Sequence, residues 1–385
     1  MKSHLCAPEK CTGCMACYNS CSKHAISMKE GFLGELLPEI SLALCVDCGA
    51  CDRVCPVLKP VAVKEPDKCF AAWSTDVGEY TSSTSGGLAA VMSRRIIDNG
   101  GVVYGCAAKG LNVQHIRCTN LEEIKQLKGS KYVQSTISNT YQQVASDLKV
   151  KKQVLFIGTP CQVAGLQSYL KKGYDNLITV DLICHGVPSL QSLRKSLQHC
   201  FPEADLDQVY SLSFRNHLKG EFCLEVAASN SNSEVVRYEG GVDYTNSYYP
   251  TFFYGNSYRN SCYHCAYASS KRCSDITIGD FWGLKDSSVL TKASNGISAV
   301  LVNTQKGGSF YQELTLFLHS YERTVEEAVS GNAQLQQPTQ MTFRTKIFRK
   351  LNKITSFEVA YRTVYCKEIA IASLKRRIKK MICKK

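Results

Sequence analysis

The sequence predicts a mixed α/β protein in three parts: a small cysteine-rich module, a larger domain of alternating strands and helices, and a basic helical tail. Three observations predict this. Cys11, Cys14, Cys17 and Cys21 follow the spacing C-x-x-C-x-x-C-x-x-x-C, which returns 34 positions later at Cys45, Cys48, Cys51 and Cys55. Beyond residue 66, short apolar runs rich in β-branched residues alternate with helix-length amphipathic ones. From Pro338 to Lys385 the chain then holds 14 Lys+Arg against 2 Asp+Glu, which leaves 32 against 31 for everything before it. The expected divisions are residues 1–62, 63–335 and 336–385.

The front module comes first because its spacing carries most. Twenty-one cysteines in 385 residues are too many for chance, and the chain is too long for a small disulfide scaffold. Metal ligation in a reducing cytoplasm is the reading that fits. A zinc site pairs two C-x-x-C knuckles, and the third close cysteine of each run suits it poorly. Two four-iron (4Fe-4S) clusters suit it well. In this bacterial-ferredoxin pattern the fourth cysteine of each run serves the other cluster. Cys11, Cys14, Cys17 and Cys55 are therefore the expected ligands of one cluster, and Cys45, Cys48, Cys51 and Cys21 those of the other. The second run ends in Cys55–Pro56 as the pattern expects, whereas the first ends in Cys21–Ser22. Cys6 falls outside the pattern and reads as a bystander.

Pro56, Pro60 and Pro66 mark a linker of limited flexibility. After it, "KCFAAWST", "GVVYGCAA", "QVLFIG", "NLITVDLICHG", "DITIGDF" and "GISAVLVNT" read as strands, with "FCLEVAAS" and "EVVRYEG" as a hairpin. Helices are expected at "GGLAAVMSRRIIDNG", "CQVAGLQSYLKKG" and "SLQSLRKSLQHC". Two strand-to-helix junctions have the makings of a phosphate site. In "STSGGLAAV", Ser83, Thr84 and Ser85 precede Gly86–Gly87 and a helix, where free backbone N–H groups suit a pyrophosphate or simply cap the helix. In "FIGTPCQVAG", Thr159 is the expected N-cap, Pro160 the first helical residue, and Cys161 lies in the first turn, where the helix dipole favours a thiolate. That thiol is a nucleophile, a metal ligand or an inert core side chain. Cys184 ends a strand, and Cys262 and Cys265 form a further C-x-x-C. With Cys161 these are four thiols, enough for a third cluster if they converge. Cys273 is a substitute for one of them and Cys106 a weaker one. His185 and His264 sit beside candidate ligands, as isolated histidines of structural or exposed character.

Taken together, "STSGGL", "LKGSKYVQS", "GTPCQVAGL", "ITVDLICHGVPS" and "RNSCYHCAYASSKRCSDITIGDFWG" resemble the coenzyme F420 hydrogenase/dehydrogenase beta-subunit family, in order from residue 66 to about 305. The front module resembles the arrangement of members that carry both modules on one chain. The resemblance implies a domain that binds FAD beside a four-iron cluster held at Cys161, Cys184, Cys262 and Cys265. It implies FAD contacts at Ser85, Gly86, Gly87, Lys131 and Tyr132, with Gly158 and Thr159 placed near the flavin through Cys161. The implied function is an oxidoreductase that converts between one-electron and two-electron carriers. A ferredoxin-type carrier is expected at the front clusters, and a deazaflavin, nicotinamide or other organic hydride partner at the flavin. The alternative is an electron-transfer subunit that works only when docked to a catalytic partner. His185 and Asp280 are the side chains first considered for catalysis. No G-x-G-x-x-G follows a strand, which disfavours a Rossmann nicotinamide site.

Of the net charge of +13, all but one unit belongs to the tail, so it points to no nucleic-acid partner for the main domain. Phe357, Tyr361, Val364, Ile371, Leu374, Ile378 and Met381 recur at helical spacing among Arg362, Lys367, Lys375, Arg376, Lys379 and Lys380. Such a helix either packs on its parent domain or lies peripherally on an anionic inner-membrane surface. The start of the sequence has no apolar core of a secretory signal, and no apolar run is long enough to span a bilayer.

Overall fold

A computed structural model describes residues 5–216 and 222–382. Residues 26–40 of the front module fold as an antiparallel hairpin of β1 (Ile26–Glu30) and β2 (Leu36–Ile40). Each cysteine run feeds a short helix, Ala16–Ser20 or Ala50–Arg53, entered through a left-handed residue, Met15 or Gly49. That backbone reversal wraps the loop ahead of each helix.

The main domain is built on an eight-stranded mixed sheet. Its strands are β3 (Lys68–Ser74), β4 (Val102–Lys109), β5 (Asn112–Cys118), β6 (Val154–Gly158) and β7 (Leu177–Leu182). A separate antiparallel sheet takes β8 (Val209–Ser213), β9 (Leu224–Ser229) and β10 (Val235–Gly240), and the main sheet is completed by β11 (Ile276–Asp280), β12 (Ser298–Val302) and β13 (Leu318–Arg323). The order is β13-β3-β12-β11-β7-β6-β4-β5, with β4, β6, β7 and β11 parallel. The four parallel strands therefore end on one edge, at Lys109, Gly158, Leu182 and Asp280. Ligands of open α/β sheets bind outside that edge.

The central strands are near-continuous apolar runs because both faces are covered. Val154, Leu155 and Phe156 of β6 are fully buried, each contributing about 2 kcal/mol by removal from water. Helix Leu88–Asp98 packs on one face through Leu88, Met92 and Ile96. Helix Pro160–Leu170 packs on the other through Val163, Leu166 and Leu170. Its start is fixed by a capping box between Thr159 and Gln162, with Pro160 at the first helical position.

In the main domain each strand and helix expected from the sequence is found, together with β5, β8 and β13, which were not expected. The linker is held in place by a two-way backbone pair between Lys64 and Arg272. The single tail helix expected over residues 357–381 is instead two, Phe357–Val364 and Cys366–Ile382, broken at Tyr365 and preceded by Phe343–Ile354. Phe357, Tyr361 and Tyr365 are buried against Phe348, so the first half of the apolar stripe is core. Ile371, Leu374, Ile378 and Met381 of the last helix are exposed. The side chains of Lys379 and Lys380 lie outside the described residues. Among the described residues no helix is long and apolar enough to cross a membrane.

Candidate iron–sulfur and flavin site

Two clefts in the front module collect its cysteines. Cys11, Cys14, Cys17 and Cys55 line one, and Cys21, Cys45, Cys48 and Cys51 line the other, which encloses about 570 Å³ of space partly open to solvent. This is the grouping that ligand exchange between the two runs requires. Cys48 is exposed, so the second cleft faces outward, whereas Cys11, Cys14, Cys17 and Cys55 are buried.

Cys6 is in the first cleft too, and it is more than a bystander. Its thiol hydrogen-bonds Cys11 and Cys55, which is the main reason Cys11 is pulled down to about 6 and Cys55 to about 7. Its own pKa rises correspondingly.

Cys161, Cys184, Cys262 and Cys265 come from three separate loops. Cys161 opens the helix after β6, and Cys184 follows β7 at the same sheet edge. Cys262 lies in the single turn Asn260–His264, and Cys265 follows it. That turn is pinned to the Cys184 loop by a bridge between Pro188 and Tyr258 and by Arg259 N–H donating to the Val187 carbonyl. In each of the six pairs among these four thiols, one raises the pKa of the other, so all lie within electrostatic reach. Burial is the larger cause and lifts Cys161 to about 11, Cys262 to about 12 and Cys184 well above its ordinary range. Four half-buried thiols that repel one another as thiolates are a poor arrangement for a bare protein. A cationic iron core would supply the missing positive charge and displace the protons. Among the described residues no three metal-ligating side chains close on a single ion. Ligands of a four-iron cage sit on different irons at its corners and need not do so.

Cys273 is buried behind this group, with its thiol 3.5 Å from the Pro160 carbonyl. Cys106 lies beside Lys131 and Ser135 instead.

The front and central groups touch. Gly165, one turn after Cys161 on the same helix, has no side chain where Cys14 packs, and a Cβ there would lie 3.1 Å from the Cys14 sulfur. Asn19 donates to the Ser138 carbonyl and Gln134 to the Thr12 carbonyl across the same junction, at 2.7 and 2.9 Å.

The candidate flavin residues gather along the same edge. Thr84 and Ser130 hydroxyls are 3.2 Å apart, and Lys128 reaches Ser82 at 2.9 Å, so the "STSGGL" and "LKGSKY" loops adjoin. Gly129 at φ +79° has open space around it. Ser85 and the Gly86 N–H already meet the Ser298 hydroxyl, and Gly86 presses on the Ala72 carbonyl, which leaves Gly87 as the helix N-cap. Lys131 donates to the carbonyls of Gln126, Leu127 and Lys128, and burial lowers its pKa to about 8. Tyr132 joins an aromatic wall with Phe214, Phe222 and Phe252. Asp280 pairs with Arg215 at 2.9 Å. His185, whose pKa burial lowers, lies within the field of Asp280.

His115 was not expected from the sequence. It stacks on Phe156, approaches the Ser135 hydroxyl and the Ile157 carbonyl at 3.0 Å each, and borders Gly158, where a Cβ would sit 3.3 Å from its Nε2. Burial pushes its pKa down to about 4. The unfolded chain then binds the extra proton between about pH 6.5 and pH 4, so stability falls as pH falls through that window, by about 3 kcal/mol in full. H115Q removes that titration. Its stability should decline less than wild type between pH 7 and pH 4 in thermal melts, and parallel declines would show that His115 titrates normally.

Residues 151–316 match the family model for the C-terminal part of the coenzyme F420 hydrogenase/dehydrogenase beta subunit, and residues 10–58 match the 4Fe-4S dicluster domain. No curated protein matches the chain. A chain from the F420-reducing NiFe hydrogenase complex of Methanosarcina barkeri, in a study of its xenon derivatization, is similar at 16% identity with a TM-score of 0.46, over 70% of this chain and 91% of that one.

Proposed function

We propose that this chain, which belongs to the coenzyme F420 hydrogenase/dehydrogenase beta-subunit family through residues 151–316 and carries a 4Fe-4S dicluster domain through residues 10–58, is an iron–sulfur flavoprotein oxidoreductase. Its electron-transfer role goes with those two domains. The finer reading is a converter between a ferredoxin-type carrier at the front module and a two-electron organic partner at the main domain. Cys11, Cys14, Cys17 and Cys55 hold one cluster, Cys21, Cys45, Cys48 and Cys51 the second, and Cys161, Cys184, Cys262 and Cys265 the third.

The observation that carries this reading is the meeting of Cys14 and the Cys161 helix at Gly165. It joins the front module, whose second cleft opens at the exposed Cys48, to the helix that starts at the edge where β6, β7 and β11 end. When bound, FAD supplies hydride exchange on one side and single-electron release on the other, while clusters pass one electron at a time. The chain's own part is positional. Thr159 and Gln162 fix the helix that carries Cys161. Gly158 lets Phe156, Gln162 and His115 pack closely at the end of β6, and the Tyr132 wall and the open space at Gly129 lie along the edge proposed for the flavin.

An iron assay with flavin extraction tests it. About 12 iron atoms and one FAD per chain are expected, whereas about 8 iron atoms and no flavin would reduce the chain to two clusters on a scaffold without redox function.

A further inference from the structure

Arg259 is 2% exposed and lies between the front and central cysteine groups. Its Nε and Nη2 donate to the Cys11 carbonyl at 3.3 and 3.2 Å, Nη2 also to the Leu36 carbonyl at 2.9 Å, and Nη1 to Gln134 Oε1 at 2.7 Å. These acceptors are all neutral. Its backbone meanwhile caps the turn that carries Cys262 and bonds the loop that follows Cys184. Gly13, at φ +67°, makes the approach feasible, since a Cβ there would lie 2.7 Å from Nη1. A guanidinium this buried is costly unless negative charge lies nearby, and among the described residues no carboxylate pairs with it. Thiolates are the remaining source. Arg259 is tied to one cysteine of each group: its guanidinium bonds the Cys11 carbonyl, and its own carbonyl accepts from the Cys262 N–H at 3.1 Å.

We infer that Arg259 is the shared counter-charge of the first front cluster and the central cluster, a positioning residue that sets the reduction potentials of both. The inference rests on the cluster assignments proposed above. Four thiolates around an iron–sulfur core make a net anion, and each added electron makes it more negative. A fixed cation between two such groups favours the reduced form of each and raises their potentials.

The test is a redox titration of the purified holoprotein followed by electron paramagnetic resonance, on wild type, R259K and R259Q. R259Q should carry wild-type iron with both signals shifted to lower potential by at least a tenfold change in equilibrium, about 59 mV for a one-electron couple. R259K should stay close to wild type while losing thermal stability, because it keeps the charge but not the fork. Unchanged potentials in a fully loaded R259Q overturn the inference, as do equal shifts in R259K and R259Q. If R259Q fails to keep its clusters, R259K decides: loading at wild-type potential supports a need for charge, and failure alike makes Arg259 a scaffold residue only. Wild-type protein with about 8 iron atoms would instead remove the central cluster. The shift of the first front cluster in R259Q would still read the Cys11 side of the inference.

Discussion

Replacing Cys161 with serine is expected to remove about 4 of about 12 iron atoms per chain and to leave the front pair's signals in place. The argument is local. Cys161 occupies the first turn of a helix whose start is fixed by Pro160 and the Thr159–Gln162 capping box, so its side chain has little freedom to be replaced by a neighbour. Burial already opposes ionisation of the thiol, and a serine hydroxyl ionises far less readily. Substitution of Cys265 should give the same loss through the other end of the group. Two controls separate ligation from damage. C273S should keep all its iron, since the Cys273 thiol, though within reach of Cys161, faces the Pro160 carbonyl, and C106S should do so because Cys106 lies beside Lys131 and Ser135. Full iron in C161S with a deficit in C273S would exchange those two assignments, and full iron in both C161S and C265S would remove the third cluster.

The grouping of the front cysteines into two clefts was legible because it follows from local spacing. The sequence separations that place three thiols round one cage are short, and the fourth is supplied by a repeat of the same run. The central four were only partly legible. Cys262 and Cys265 announce themselves, but Cys161 and Cys184 are single cysteines whose convergence depends on β6 and β7 being parallel neighbours. Strands such as β6 could be read from continuous apolar runs, whereas β13, "LHSYER", is a polar edge strand whose partner is β3, nearly 250 positions away. Arg259 and His115 carried no signal at all. The neighbours that give Arg259 its character come from positions 11, 36 and 134, and nothing in "SYRNS" records them. The "STSGGL" loop shows the opposite failure. Its pattern suggests free amides for a phosphate, yet the Gly86 N–H is taken by Ser298, from a strand more than 200 residues later. In the tail, helical spacing ran on past Tyr365, which turns inward onto Asn256 and breaks the helix.

Removing one partner of the Asp181–Arg272 pair should cost about 3–5 kcal/mol, the largest stability loss expected from a single substitution outside the clusters. Both side chains are buried, at 0% and 1% exposure, and meet at 2.9 Å. Arg272 also donates to Thr277 Oγ1 at 3.1 Å, the Tyr267 carbonyl at 2.9 Å and the Leu182 carbonyl at 3.2 Å. Thr277 in turn donates to Asp181 Oδ1 at 2.6 Å. Through these bonds one guanidinium fastens the loop after Cys265 to the end of β7, two residues before Cys184, while its backbone holds the linker at Lys64. D181A strands a buried cation and R272M strands a buried carboxylate, so each should lower the melting temperature sharply and weaken retention of the central cluster. The double variant D181L/R272M leaves no buried charge, and it should recover much of the lost stability without restoring the loop's attachment. Melting temperature and iron content therefore separate in the double variant: stability returns further than iron does. Single variants that melt with wild type would show that the pair contributes little, and a double variant no better than either single one would locate the damage in lost packing instead of stranded charge.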